Sequence, residues 1–560
     1  MAFTIGLDYG TNSVRCLIVD ISNGNELGSS VYEYETGEAG IVLDPGDHNL
    51  ARQNPADYIK GIEVTIAGAL KEAAKTQGFD PKEIIGIGID TTGSTPMPVD
   101  KNGTPLSFDP RFADNPNAMA WLWKDHTAYA EAAEITELAK KKHPEYLTKC
   151  GGTYSSEWFF SKILHCLRTD EAVFDAAYTW YEYCDWLPAL LTGNTSPDKI
   201  KMSRCAAGHK AMFNNEWGGL PAKDFLAELD PKLGELRDRL YEQSYSVDTA
   251  AGTLTNEWAR KLGIPAGIPV AVGAFDAHLG AVGSGVGPGK MVQVIGTSSC
   301  DLLVWDSSTP LEDIPGVCGV VDGSVLPGYF GIEAGQSAVG DIFNWFVSYI
   351  QPGGPESAKH RLLDEEAEKL KPGQTGLLAL DWNNGNRCVL VDQRLTGLLV
   401  GQTLHTRAVD IYRALVEATA FGALTIINRI EEYGVKINEV INCGGIAEKS
   451  SVVMQIYADV TNREMKVSGS SQTCALGSAI AAAVVAGSSS GGYDSFADAQ
   501  AAICTVKEKT YKPIPENVAV YADLYRLYKQ LHDGFGIKGH SADISNVMKE
   551  LLDIKESANA

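Results

Sequence analysis

The chain has 560 residues, with 47 Lys and Arg against 71 Asp and Glu, and a formal net charge of −24. That length predicts two to four domains around a large buried core, and 44% hydrophobic with 21% charged residues excludes a disordered chain. So negative a protein is a poor partner for nucleic acid or an anionic membrane, which call for clustered Lys and Arg, although a local site can still take a small anion.

Met1 runs straight into Phe3-Thr4-Ile5-Gly6-Leu7 with no basic stretch, which predicts no signal peptide. From Ile5 the pattern is an apolar strand, the turn Gly10-Thr11-Asn12-Ser13, and a second apolar strand, Val14 to Asp20: a β-hairpin. Asn54 and Pro55 suit a helix start, with Ile59, Ile62, Ile66 and Leu70 at helical spacing and Gly78 as the stop. Ile84 to Asp90 reads as a buried strand, and Val270 to Asp276 as another that ends in a carboxylate. The Gly-rich run from Gly280 to Gly289 predicts a hinge and a division into residues 1–285 and 286–560. Gly287-Pro288-Gly289-Lys290 imitates a P-loop, but Ser284 and Met291 stand where Gly and Ser or Thr are required.

A second hairpin then follows. Val292 to Ile295, Gly296-Thr297-Ser298, and Ser299 to Asp306 repeat the first pattern, with Gly296 standing 286 residues after Gly10. Two related domains, each opening with a hairpin, explain the echo. Further on, a helix is predicted from Arg407 to Tyr433, a strand over Val440 to Cys443, the turn Gly444-Gly445, and a helix from Ala447 to Val460. The uncharged stretch between Lys466 and Asp494 is too weakly apolar to span a membrane and predicts a close-packed interior helix. The eleven cysteines include no C-x-x-C pair, and Cys205 with His209 has no second pair to complete a zinc site. Reduced thiols in a cytoplasmic protein fit better.

The hairpins carry the chemistry. A Gly-Thr turn lets backbone N–H groups and a hydroxyl approach a phosphate; Arg15 adds a cation, and Asp8 can hold Mg²⁺ through water. Two facing turns would clamp a polyphosphate. Asp276 suits either a catalytic group or a helix N-cap, and Gly444-Gly445 either a nucleotide pocket or a tight turn; the pattern leaves both open.

Together these residues resemble the FGGY carbohydrate kinase family. The hairpins are similar to its two phosphate motifs and Asn442-Cys443-Gly444-Gly445 to its adenosine motif. Gly397-x-Leu399-x-Gly401 with Asp410-Ile411 and Ala414 to Glu417 resembles its C-terminal signature, apart from Gln402 in an aliphatic position. Lys162-Ile163 resembles the N-terminal signature, with His165 in place of the usual Trp. The resemblance implies two α/β domains of the actin-like ATPase (ribonuclease H-like) fold with a catalytic cleft between them, sugar deep in the cleft, and ATP with Mg²⁺ held mainly by the second domain. It assigns Asp276 as general base, Thr11, Asn12, Ser13, Arg15, Gly296 and Thr297 to the phosphates, Asp8 to Mg²⁺, and Gly444 and Gly445 to adenosine. Lys210, Asp276 and Glu333, helped by Asp125, Ser94 and Thr95, are expected to bind the sugar, with Lys210 open to a second reading as a solvated surface charge. The runs Asp90 to Pro96, Trp121 to His126 and Asp381 to Arg387 are similar to those of the branch that phosphorylates L-ribulose in L-arabinose catabolism. The alternatives are a family kinase acting on D-ribulose, xylulose or glycerol, and an actin-like nucleotide switch that is not an enzyme. No nucleic-acid or membrane partner is expected, and a homodimer is left open.

Overall fold

The N-terminal hairpin forms as expected and opens a mixed sheet. In the computed structural model, which describes residues 2–355, 359–541 and 543–559, β1 (Phe3–Tyr9) pairs antiparallel with β2 (Ser13–Asp20), from Phe3 opposite Asp20 to Tyr9 opposite Val14. β3 (Asn25–Glu33) extends the meander. On the other side of β1 lies β4 (Ile84–Thr91), parallel to it. Beyond β4 come β6 (Pro269–Ala271), also parallel, and the antiparallel edge strand β5 (Ala250–Thr253). Every residue of β1 is buried, as a strand covered on both faces must be.

The second sheet repeats this plan. β8 (Lys290–Ile295) and β9 (Ser299–Asp306) form the expected hairpin. β11 (Tyr329–Ala334) and β10 (Gly319–Asp322) extend it antiparallel, while β12 (Glu439–Cys443) and β13 (Met465–Val467) add parallel strands beside β8. In both sheets a hairpin carries antiparallel neighbours on one side and parallel strands on the other. The echo in the sequence is therefore an echo in topology.

The helices follow the apolar periodicity, with three adjustments. Helix α1 (Pro55–Ala73) starts at Asn54, whose side chain accepts the Ala56 N–H at 3.0 Å. It ends where its buried stripe of Tyr58, Ile62, Ile66 and Ala69 ends, ahead of Gly78. The strand expected over Val270 to Asp276 is broken at Val272 and Gly273, where the backbone passes so close to helix Tyr183–Thr192 that a Cβ on Gly273 would lie 2.2 Å from Cys184 O. A short strand, β7 (Ala274–Phe275), then pairs with β4, and Asp276 opens helix α2 (Asp276–Gly283) rather than closing a strand. The helix expected over Ala447 to Val460 is two helices, Gly445–Lys449 and Ser451–Thr461, because Ser450 leaves the helical conformation and caps the second through the Val453 N–H. Helix α3 (Ala408–Glu432) matches its expected span, ending at Gly434 with φ +88°.

The uncharged stretch is the interior helix α4 (Thr473–Ala486), buried along most of its length. It belongs to the C-terminal half of the chain yet packs on β1, β4 and α2 of the N-terminal half, so the two halves share core. Small residues make this possible. A Cβ placed on Gly6 or Gly88 would lie 1.8 Å from Ala475 O or 1.9 Å from Ser478 O, and one on Gly477 would lie 1.8 Å from Leu279 O. Gly477→Val is therefore expected to destabilise the protein by at least the upper end of the ~1–3 kcal/mol typical of overpacking, although Val is the better helix former. A urea unfolding midpoint left unchanged or raised would contradict this packing. Among the described residues no helix is long and apolar enough to cross a membrane.

Candidate active site

A cleft of about 280 Å³ opens between the two halves. The first half lines it with Ser94, Lys210 and Asp276, and the second with Gly296, Thr297, Glu333 and Arg387. Asp276 stands at the first turn of α2, where its Oδ1 accepts the Ala277 N–H at 2.7 Å. The N-cap reading fails, because Phe275 holds that position and Asp276 is the first residue of the helix, with its side chain facing the cleft. Burial, with Asp8 and Glu333 nearby, pushes its pKa up to about 7. A carboxylate so placed can accept a proton near neutral pH.

Lys210 and Glu333 form an ion pair at 3.5 Å between the end of helix Arg204–Lys210 and strand β11. Lys210 is nearly buried, which removes the surface-charge reading. Burial alone would raise the Glu333 carboxyl, but Lys210 beside it holds it well below the usual range. Two buried histidines back the carboxylate. His209 Nδ1 lies 3.3 Å from Glu333 Oε2, and His278 Nε2 lies 3.1 Å from His209 Nε2. Burial holds both imidazoles neutral at pH 7, with that of His278 lowered to about 4. A fixed carboxylate and ammonium side by side suit hydroxyl groups, accepting from one and donating to the next.

The two Gly-Thr turns flank this centre. The Gly296 turn is held by Gly340 N–H to Gly296 O at 3.0 Å and Val339 N–H to Thr297 O at 2.8 Å, while a Cβ on Gly296 would meet nothing, so its cleft side is open. Gly10 N–H closes on Ser13 O at 2.9 Å, and Thr11 Oγ1 accepts the indole N–H of Trp123, a cleft residue, at 3.0 Å. Asn12 is exposed and bonds Ala39 O through its side chain, and Ser13 is buried. Arg15 is turned to Asp8 at 3.2 Å. Gly444, with φ +93°, and Gly445 follow β12, whose Cys443 sits opposite Val294 of β8. This register sets them one strand from the Gly296 turn.

Oxygens of Asp8 and Asp90 and the Cys474 sulfur lie within 4.8 Å of one another. Burial, then Asp8, raises the Asp90 carboxyl well above its usual range, and its Oδ1 has no hydrogen-bond partner. Two crowded carboxylates with an orphaned oxygen fit a hard divalent cation such as Mg²⁺.

Asp125 and Thr95 do not join the cleft lining. Asp125 is fully buried in an ion pair with Arg52 and also accepts from Ala51 N at 2.7 Å and Thr127 Oγ1 at 2.6 Å, leaving it no open oxygen. Thr95 is buried too, its N–H spent on Glu182 at 2.7 Å. Lys162 is buried with its ammonium on the carbonyls of Ser94, Trp121 and Leu122 at 2.6–3.1 Å, supporting the Ser94 turn from below. Trp121 is core, as packing would have it, whereas Trp123 and Arg387 are cleft residues that sequence reasoning did not single out as site groups.

Residues 3–283 match the family model described as the FGGY family of carbohydrate kinases, N-terminal domain, and residues 291–486 match its C-terminal domain. This chain belongs to the FGGY family of carbohydrate kinases. Curated relatives of this FGGY kinase include ribulokinases of Bacillus licheniformis, 44% identical over 97% of both chains, and Vibrio parahaemolyticus, 42% identical over 94% of this chain and 95% of that one. Among solved structures the fold is shared with xylulose kinase from Rhodospirillum rubrum (TM-score 0.77, 23% identity, covering 95% of this chain and 98% of that chain). It is shared likewise with Plasmodium falciparum glycerol kinase with ADP (TM-score 0.74, 16% identity, covering 95% and 98%). The FGGY assignment accounts for the paired sheets and for the repeated Gly-Thr turn.

Proposed function

We propose that this FGGY kinase transfers the γ-phosphoryl group of ATP to the terminal hydroxyl of L-ribulose, in the cytoplasm. The observation that carries the reading is a single cleft in which a half-buried carboxylate of raised pKa, an ion pair suited to hydroxyl groups, and a glycine turn open to phosphate all meet. Full-length relatives named ribulokinase, at 40–44% identity, support a ribulose over xylulose or glycerol. In this reading residues 1–285 supply the sugar side and the first phosphate turn, and residues 286–560 supply the ATP side.

Phosphoryl transfer needs positioning and charge neutralisation more than covalent chemistry. Lys210 and Glu333 orient the sugar, and Ser94 bounds its pocket. Asp276 takes the hydroxyl proton as that oxygen attacks. The turns at Thr11 to Ser13 and at Gly296 and Thr297 direct N–H and O–H donors to the phosphates, Arg15 adds a cation, and Gly444 and Gly445 leave room for adenosine. Asp8, with Asp90 beside it, would hold Mg²⁺, which when bound neutralises phosphate charge.

The test is ADP release from Mg·ATP with L-ribulose, D-ribulose, D-xylulose, glycerol or no sugar. Turnover is expected to be sugar-dependent and strongest with L-ribulose. A different preferred sugar would sink the L-ribulose assignment, and sugar-independent hydrolysis would replace the kinase with a nucleotide switch.

A further inference from the structure

The cleft is rich in acid. Asp8, Asp90, Asp276 and Glu333 all face or border it, yet the proposed reaction brings in a polyphosphate and moves one of its phosphoryl groups. The cations able to receive that charge can be counted. Arg15 is held by Asp8 at 3.2 Å, Lys210 by Glu333 at 3.5 Å, and the Lys162 ammonium by three carbonyls. Arg387 is different. Among the described residues its guanidinium makes no hydrogen bond and no ion pair. It lines the 280 Å³ cleft beside Asp276 and Gly296, the roughly 390 Å³ cavity that shares Thr297 and Ser298, and the roughly 520 Å³ cavity that shares Lys210 and Glu333. It therefore stands where the sugar pocket, the second glycine turn and the base come together. The nearby Glu157 carboxylate helps to keep it protonated against the cost of burial. An arginine left without a partner at such a junction is poised for an anion that arrives with the substrates.

We propose that Arg387 is a catalytic residue, the cation that meets the oxygens of the phosphoryl group while it is in transfer. This rests on the sugar-kinase reading above. The sugar's hydroxyl oxygen forms its bond to the γ-phosphorus while the bond from that phosphorus to the β–γ bridging oxygen breaks. The electron pair of the broken bond leaves with ADP, and the hydroxyl proton goes to Asp276. Among the described residues that line the cleft, negative charge on the moving group meets no other uncommitted cation, and a guanidinium offers it two donors in one plane. The sugar is uncharged and already has Lys210 and Glu333, so the free charge of Arg387 is better matched to the phosphoryl group than to a hydroxyl.

The experiment compares the full-length protein with its Arg387→Met, Arg387→Lys and Arg387→Gly variants, at saturating Mg·ATP and with the sugar that gives the unaltered protein its fastest turnover. In Arg387→Met kcat is expected to fall about 10²–10³-fold with the KM for sugar changed less than about threefold, the split that marks an interaction made only in the transition state. Arg387→Lys should keep the charge and recover part of the rate. Added guanidinium should restore part of the rate to Arg387→Gly and none to the unaltered protein. A raised sugar KM at near-normal kcat would overturn the proposal by making Arg387 a sugar ligand, and so would unchanged kinetics in Arg387→Met. If any variant melts far below the unaltered protein, rescue by guanidinium in a variant that stays folded decides the matter, and its absence overturns the proposal. If the unaltered protein shows no sugar-dependent turnover, the kinase reading itself falls and this assignment falls with it.

Discussion

Asp276→Asn is expected to lower kcat by about 10²–10⁴-fold, the usual contribution of a positioned general base, while leaving sugar binding nearly intact, because asparagine keeps the shape and the Ala277 contact. The same residue sets the pH dependence. Its pKa is pushed up to about 7 by burial and then by Asp8 and Glu333, and only the carboxylate can take a proton, so kcat/KM should rise with pH through about 7 in the unaltered protein. In the variant that limb should vanish. Stability must move the opposite way. A carboxyl whose pKa is higher folded than unfolded favours the folded state while protonated, and that contribution is lost as pH rises from about 4 through 7. Asp276→Asn should therefore melt above the unaltered protein at pH 8, with the gap closing toward pH 4. Thermal melts at the two pH values and a pH–rate profile check both halves. Equal melting curves at pH 8 together with full activity would show that Asp276 neither carries buried charge nor serves as base.

Such a trade of stability for function marks what a sequence can and cannot disclose. The hairpins were legible because their signal is local: an apolar strand, a Gly-Thr turn and a second strand determine one another within about fifteen residues, and their repetition half a chain apart pointed to two related sheets. The helix at Thr473 was legible from its small uncharged residues. Its partner was not, since only the tertiary structure brings Ala475 and Ser478 against Gly6 and Gly88. The Val270 to Asp276 strand is interrupted at Val272 and Gly273, where only the tertiary structure brings Cys184 O against the Gly273 backbone. Arg387 lies in an irregular segment without periodicity, so no pattern could aim it at the cleft. Asp125 falls outside the cleft lining for a related reason. Its run of Trp, His and Asp looks like a ligand-binding loop, and the cation that occupies it is 73 residues earlier in the chain.

Asp125→Asn then separates a strut from a sugar ligand. Arg52 lies over the Trp121 ring at 3.4 Å, enclosed on all sides, and burial lowers its pKa only to about 9, so it stays charged at pH 7. Removing the Asp125 charge strands that guanidinium in the core, a loss expected to cost about 3–5 kcal/mol, seen as a lower urea midpoint and melting temperature. The sugar KM, measured where the variant is still folded, should stay within about twofold, because Asp125 has no oxygen open to the cleft. A sugar ligand would give the reverse: a raised KM and an ordinary melting curve. The double variant Arg52→Met, Asp125→Leu decides what kind of strut it is. A buried ion pair repays its desolvation only in part, so two apolar side chains of similar size should recover most of the stability that Asp125→Asn loses. If they do not, the donors from Ala51 and Thr127 that converge on the carboxylate hold this corner together more than the charge of Arg52 does.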